Sequence, residues 1–273
     1  MTDTLWLLLF MIPGTFFLGA YDVTLKKVLA RGEEHEVMAI DFLLTGLIST
    51  AVLFMFGKPY VTAGFWSAAI VTVLLNIFGA LMWTRAFRRE DASLVSPLRV
   101  LTPVFVIATG FFVLGEHVSW WGSAGIFVTI FGLWFLVRSQ ATAEAISIMG
   151  VMRRPGLLYG LAGALANALS FPFDKAAVTN SSALVASAFM FITLGITYLC
   201  VSIVEHKKFV LFRVLREEPR SFLLLGVVHA IGNVLTFQAL NFALAAYAAS
   251  LKRLWSFWAV VLSGQFLKEK NIP

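Results

Sequence analysis

Nine apolar stretches, each about 20 residues long, constrain this chain more than any other feature. They run approximately over 5–25, 37–56, 64–84, 92–115, 119–137, 156–178, 182–204, 221–243 and 245–267. A helix rising about 1.5 Å per residue needs about 20 apolar residues to cross about 30 Å of hydrocarbon. Nothing between the stretches is long enough to fold alone; the longest connections are about 138–155 and 205–220. The chain is 13% charged and 59% hydrophobic, where a soluble domain carries about 25% charged residues. The expected class is therefore an all-α integral membrane protein, and a soluble enzyme or a disordered chain is excluded. The one cysteine, Cys200, leaves no intrachain disulfide and no cysteine metal site. The N-terminal run MTDTLWLLLFMIPGTFFLGAYDV lacks a basic n-region and a small-x-small cleavage site, so it reads as a retained first helix.

The basic residues sort by side. Connections after spans 1, 3, 5 and 7 hold Lys26, Lys27 and Arg31; Arg85, Arg88 and Arg89; Arg138, Arg153 and Arg154; and Lys207, Lys208, Arg213, Arg216 and Arg220. Connections after spans 2, 4, 6 and 8 hold only Lys58 and Lys175, while Lys268 and Lys270 after span 9 join the rich set. The positive-inside rule puts the rich set in the cytoplasm and the N-terminus outside. The net charge of +6 is thus a matter of topology. With no basic arm or stripe, no nucleic-acid partner is expected.

A spacing of 153 residues recurs. It pairs Asn76 with His229, Gly79 with Gly232, Ala86 with Ala239, Arg99 with Lys252, Leu101 with Leu254 and Glu116 with Glu269, without a gap; a spacing of 152 pairs Asp22 with Asp174. Charge bias reverses between matching loops. Loop 2–3 has one cation and loop 7–8 five; loop 4–5 has none and the segment after span 9 two; loop 1–2 has three and loop 6–7 one. Two five-span units must have opposite orientation because five is odd. The expectation is an inverted-topology repeat of two five-helix units, a transporter plan. Residues 1–140 form the first unit with spans 1–5, 141–155 the linker, and 156–273 the second unit with spans 6–9. The partner of span 5 would begin near residue 272, so the tenth helix is expected to be missing. A truncation, an incomplete gene product and a nine-helix form are the three readings of that gap.

Two segments carry a likeness. PLRVLTPVFVIATGFFVLGE followed by WWGSAGIFVTIFGLWFL resembles the first repeat of the EamA-type transporters of the drug/metabolite transporter superfamily, and SLKRLWSFWAVVLSGQFLKEK resembles the second. The resemblance covers the chain apart from the missing helix. It implies a ten-helix inverted repeat with a central cavity lined by helices 1–4 and 6–9, in a bacterial cytoplasmic (inner) membrane. The Lys252-Arg253 pair also looks like the Lys-Arg pair with which plastid sugar-phosphate/phosphate translocators of the same superfamily hold phosphate. Those proteins add a lysine from the first half, and Arg99 stands at a comparable place. No wider match extends this second likeness, so it implies an anionic substrate and not a phosphate in particular.

Arg99 and Lys252 each lie about seven residues into their spans and approach the midplane from opposite faces. A cation there costs at least about 2.5–3.5 kcal/mol, and no carboxylate stands within a turn or two in sequence. An anionic substrate would supply the missing charge. The plain alternative is snorkelling or pairing with carboxylates of other helices. Arg253 shares the argument, although neighbours on a helix point about 100° apart. Asn76, His229 and Asn167 are mid-span polar groups that can bind substrate or bond across helices. Trp83, Trp255 and Trp258 could stack on a planar ligand or simply pack. Asp22, Asp41 and Asp174 are read as solvated or capping groups near span ends. With no carboxylate evident deep in a span, exchange or facilitated movement is expected over proton antiport.

The expected function is therefore a carrier that moves a small polar, anionic metabolite by alternating access. The substrate-binding candidates are Arg99, Lys252, Arg253, Asn76, His229 and Asn167. The alternatives are a lipid-linked substrate flippase of the same superfamily and an exporter of neutral or cationic metabolites. The four histidines form no HExxH motif, and neither a Ser/His nor a paired-Asp constellation is readable, so no enzyme, catalytic residue, metal or cofactor is expected. The expected partners are the small-molecule substrate and the lipid bilayer, with a homodimer left open.

Overall fold

The computed structural model describes residues 2–29, 33–57, 59–89, 98, 101–138, 154–206, 215–216 and 218–266, and among them there is no strand. The helices are α1 (Thr2–Leu29), α2 (Glu34–Phe56), α3 (Ala63–Arg89), α4 (Thr102–Leu114), α5 (Trp120–Arg138), α6 (Pro155–Thr179), α7 (Ala183–His206), α8 (Pro219–Ala239), α9 (Ala245–Lys252) and α10 (Leu254–Phe266). Among the described residues, six stretches are long and apolar enough to cross a membrane: Asp3–Leu29, Glu34–Phe56, Ala63–Trp83, Pro155–Thr179, Ala183–Val204 and Pro219–Phe242.

Local signals explain several boundaries. Glu34 and Glu36 place negative charge in the first turn of α2, where the helix dipole is positive. Pro103 and Pro219 stand at the starts of α4 and α8, positions where a missing N–H costs nothing. Helix α4 ends at Gly115 with φ 67°. Gly115 N–H bonds Phe111 O at 3.0 Å and Glu116 N–H bonds Gly110 O at 3.2 Å. This left-handed closure satisfies carbonyls that the helix leaves open.

The ninth span departs from expectation. It is two helices, α9 and α10, with Arg253 between them. Ser256 N–H reaches back to Arg253 O at 3.1 Å, an i to i+3 bond that tightens the first turn of α10. No Pro or Gly lies between Ala245 and Ser263, so no helix-breaking residue announces the interruption. In the fourth span, described helix begins at Thr102, and Arg99 lies outside the described residues.

The chain forms two compact units that do not follow sequence order. The first comprises Met1–Ala69, Ala177–Ala243 and Leu251–Pro273; the second comprises Ile70–Ala176 and Leu244–Ser250. In the first unit α2 packs on α7, α1 on α8 and α10, and α8 on α2. Tyr21, Val28, Val37, Ile40, Phe222, Leu225 and Val228 form a buried core there. In the second unit Trp83, Ala86, Leu157 and Ala164 form a smaller core, with Leu98 and Tyr159 packed against it. Residues such as Phe54, Phe112 and Trp121 stay largely exposed, as side chains facing lipid do.

Small residues set the closest approach. A Cβ on Gly46 would lie 2.7 Å from the Ile192 backbone nitrogen, and one on Gly195 would lie 2.8 Å from that of Leu43. The α2–α7 contact is therefore nearly backbone to backbone, the arrangement small residues permit in lipid. Gly46→Ala gains about 1 kcal/mol of helix propensity but overpacks this contact at about 1–3 kcal/mol. We expect a lower melting temperature in detergent. Gly125→Ala, on α5 with nothing within 4 Å, is expected to melt at or above the parent temperature. Equal shifts for both variants would show that the close approach does not matter.

Candidate functional site

In the first unit, four polar groups from three helices converge in the interior. Asp41 of α2 is completely buried. It lies seven residues from the start of α2, about 10 Å along the axis. Tyr21 of α1 donates its hydroxyl to Asp41 Oδ2 at 3.0 Å. His229 of α8 places Nδ1 3.1 Å from Asp41 Oδ1 and 2.9 Å from Oδ2. Thr45, one turn beyond Asp41, stands 3.2 Å from the same Nδ1 and 3.5 Å from Asp41 Oδ1. A carboxylate only accepts, so the hydrogen on His229 is assigned to Nδ1. Aromatic rings enclose the imidazole. Tyr21 stacks on it at 3.9 Å and 19°, Phe191 meets it edge-on at 4.9 Å, and Phe42 lies 6.0 Å away.

This corrects the reading of Asp41 as a solvated or capping group. Helix α2 starts three residues before the expected span, which carries Asp41 deeper, and Tyr21 and His229 supply the hydrogen bonds that water would otherwise make. Asp174 needs the same correction. It is buried in α6, where the Thr72 hydroxyl of α3 donates to Oδ1.

The second unit builds its own polar layer around that pair. Asn76 Nδ2 donates to Thr72 O at 2.9 Å and lies 3.2 Å from Thr72 Oγ1. Asn167 of α6 faces α3 so closely that a Cβ on Gly79 would lie 3.0 Å from its Oδ1. Pro172 sits inside α6 and cannot donate to the carbonyl of residue 168. Thr109 of α4 fills that vacancy, its hydroxyl bonding Ala168 O at 2.9 Å. Near the end of α6, Lys175 Nζ pairs with Glu116 Oε1 at 2.5 Å, and Glu116 Oε2 accepts the Ala245 N–H that opens α9 at 2.7 Å. Lys175 is thus an ion-paired residue of α6, although its position suggested a loop cation.

The sequence candidates distribute as follows. His229, Lys252 and Arg253 belong to the first unit, Asn76 and Asn167 to the second, and Arg99 lies outside the described residues. Lys252 ends α9, and Arg253 is the residue between α9 and α10. Lys252 Nζ lies 5.9 Å from the ring centroids of both Phe237 and Trp255, and Arg253 Cζ 5.8 Å from that of Trp255. These are cation–π distances. Phe237 is eight residues from His229, about 12 Å along α8. Sequence reasoning missed Asp41 and Asp174. The signal it could have used is Thr45 one turn after Asp41, a hydroxyl on the same helix face.

The profile of the EamA-like transporter family matches residues 5–138 and 154–271. A solved crystal structure superposes with a TM-score of 0.68 at 12% identity, over 100% of this chain and 90% of the other. At that identity the likeness is one of fold. No curated protein matches the chain.

The Thr109 bond gives a test. Thr109→Val leaves the Ala168 carbonyl without its partner, at about 1–3 kcal/mol. In a Pro172→Ala background the backbone N–H returns, and the same substitution is expected to be nearly neutral. Thermal melting of the two single variants and the double variant reads this coupling. An equal cost in both backgrounds would mean that Thr109 does not serve the proline.

Proposed function

The chain belongs to the EamA-like transporter family, and from that premise we propose that it carries a small polar, anionic metabolite by alternating access, with Lys252 and Arg253 holding the anion. The family and the six membrane-length helices make it a multi-pass integral membrane protein. The observation that carries the anionic reading is the break in the ninth span. Discontinuous helices are where transporters expose backbone groups to substrate. Here the N-terminus of the 13-residue helix α10 follows Lys252 and Arg253 directly. The positive end of a helix and two cationic side chains at one point suit a negatively charged ligand.

The proposed orientation has the N-terminus outside, from the Lys/Arg bias of the loops. The repeat is also part of the proposal, and the packing supports it. At the 153-residue spacing, α1 corresponds to α6 and α3 to α8. The first unit packs α1 on α8, and the second bonds α3 to α6 through Thr72 and Asp174. Each unit would then draw the same pair of helices from opposite halves of the sequence.

The test is a thermal-shift panel of phosphorylated, carboxylated, sulfonated, neutral and cationic metabolites on the purified protein, followed by uptake into proteoliposomes. Charge-assisted bonds contribute about 1.5–3 kcal/mol, so Lys252→Ala is expected to weaken anion binding roughly tenfold or more. Lys252→Arg should keep most of it. Anion shifts of equal size in the parent and Lys252→Ala would remove these cations from the site.

A further inference from the structure

The buried pair Asp41 and His229 has a chemistry that an anion site does not use. We propose that it is a proton-binding site whose occupancy is coupled to the anion site at Lys252 and Arg253. The coupling rests on the transporter reading above. The proton adds to His229 Nε2 and leaves by the same bond. Nδ1–H stays directed at Asp41, and no other bond changes. The pair then alternates between one net negative charge and an ion pair of no net charge.

Three observations carry this. The first is access: Asp41 has none of its side chain exposed, and His229 retains 7%. The edge of the pair that meets the surroundings therefore belongs to the imidazole. The second is capacity. Asp41 accepts from Tyr21 and His229, with Thr45 beside it, so the carboxylate keeps hydrogen bonds in either state. Faces of Tyr21 and an edge of Phe191 bound the ring, and aromatic faces accommodate a cation. The third is the contrast with the other unit. At the 153-residue spacing the counterpart of His229 is Asn76, which stands beside Thr72 and through it Asp174. That layer joins its helices through Thr72 and Asp174, while Asn76 bonds Thr72 of its own helix and cannot titrate. Holding helices together therefore does not require a histidine, whereas binding a proton does.

The surroundings are otherwise sparse in titratable groups. Tyr21 of α1 and Asp41 of α2 touch the ring. From α7, Phe191 touches it, and Tyr198 reaches it only through Phe42. Asp22 and Lys27 of α1, and Glu34, His35 and Glu36 of α2, are not partners of the ring. The route to the anion site runs along α1. Tyr21 stacks on His229, Leu18 presses on Gly232, and a Cβ on Gly19 would lie 2.5 Å from Trp258 Cβ on α10. Helix α1 is clamped between the helix bearing the histidine and the helix that begins at the break.

The test uses the full chain in detergent, labelled with 15N-histidine. The chain has four histidines, and His229→Asn assigns the signal. We expect the His229 resonance to move reversibly between imidazole and imidazolium values from pH 5 to 9, and its profile to be displaced in both Asp41→Asn and Tyr21→Phe. A His229 signal that holds one protonation state throughout overturns the site. Coupling is read with sulfate and isethionate, anions whose charge does not change over this range, with Lys252→Ala subtracting general salting effects. Anion affinity should differ about fivefold or more between pH 5.5 and 8.5 in the parent. In His229→Asn, which introduces the residue found at the 153-residue counterpart position, the anion response should persist without pH dependence. A pH-independent response in the parent overturns the coupling. If neither anion shifts the parent more than Lys252→Ala while His229 still titrates, the anion reading fails and the proton site stands.

Discussion

Hydrocarbon offers no hydrogen bonds, and that single constraint organises the molecule. Every backbone polar group must find a partner within the protein, so the described residues are mostly helical, and side-chain hydroxyls turn back on their own helices. Thr24, Thr50, Thr193, Thr197 and Ser250 each bond the carbonyl four residues earlier. Where the backbone pattern is broken, a neighbouring helix repairs it, as Thr109 does for the carbonyl left by Pro172. The same constraint makes each remaining polar side chain informative, because a group that does not bond locally has to be met by another helix.

Several such groups gather in two interior layers. One joins α1, α2 and α8 through Tyr21, Asp41 and His229; the other joins α3 and α6 through Thr72 and Asp174. Close glycine contacts make the first of these tight. Gly14 on Thr236, Gly232 on Leu18 and Gly19 on Trp258 bring α1 against α8 and α10 almost at backbone distance. A contact of that kind transmits displacement, since interdigitated backbones cannot slide without repacking.

Much of this was legible in the sequence, for identifiable reasons. Hydrophobic length alone marked the six membrane-length helices found among the described residues, because the bilayer imposes it. Family membership was legible in the degenerate runs around Pro97 and Lys252, because those segments keep their spacing of apolar and charged residues. The carboxylates were not legible. Asp41 lies four residues from the start of its apolar stretch, and α2 continues into the polar residues before it. Depth therefore depended on Glu34, Glu36 and their favourable place at a helix start, which hydropathy counts against a span. The break at Arg253 was hidden for the opposite reason. The run from Ala245 onward is all helix-compatible, and nothing in its local chemistry marks a stop.

The two layers differ at positions that the 153-residue spacing pairs, and the difference has a physical direction. Asn76 can donate and accept at any pH, so the layer around Asp174 keeps one charge state as far as its amide is concerned. The imidazole of His229 has a second ring nitrogen besides the one directed at Asp41, and that is the atom the proposed proton uses. The layer around Asp174 joins its helices through Thr72, with no imidazole at the position that corresponds to His229. A histidine in one half adds a degree of freedom that packing does not demand. It is placed on α8, eight residues before Phe237, whose ring meets Lys252. In the proposed coupling, a change of charge at one end of this stretch and a change of ligand at the other would act on the same helix. Two equilibria that share a rigid element are linked in both directions by thermodynamic necessity. The free energy that either ligand can lend the other is limited by its own preference between the states of that element.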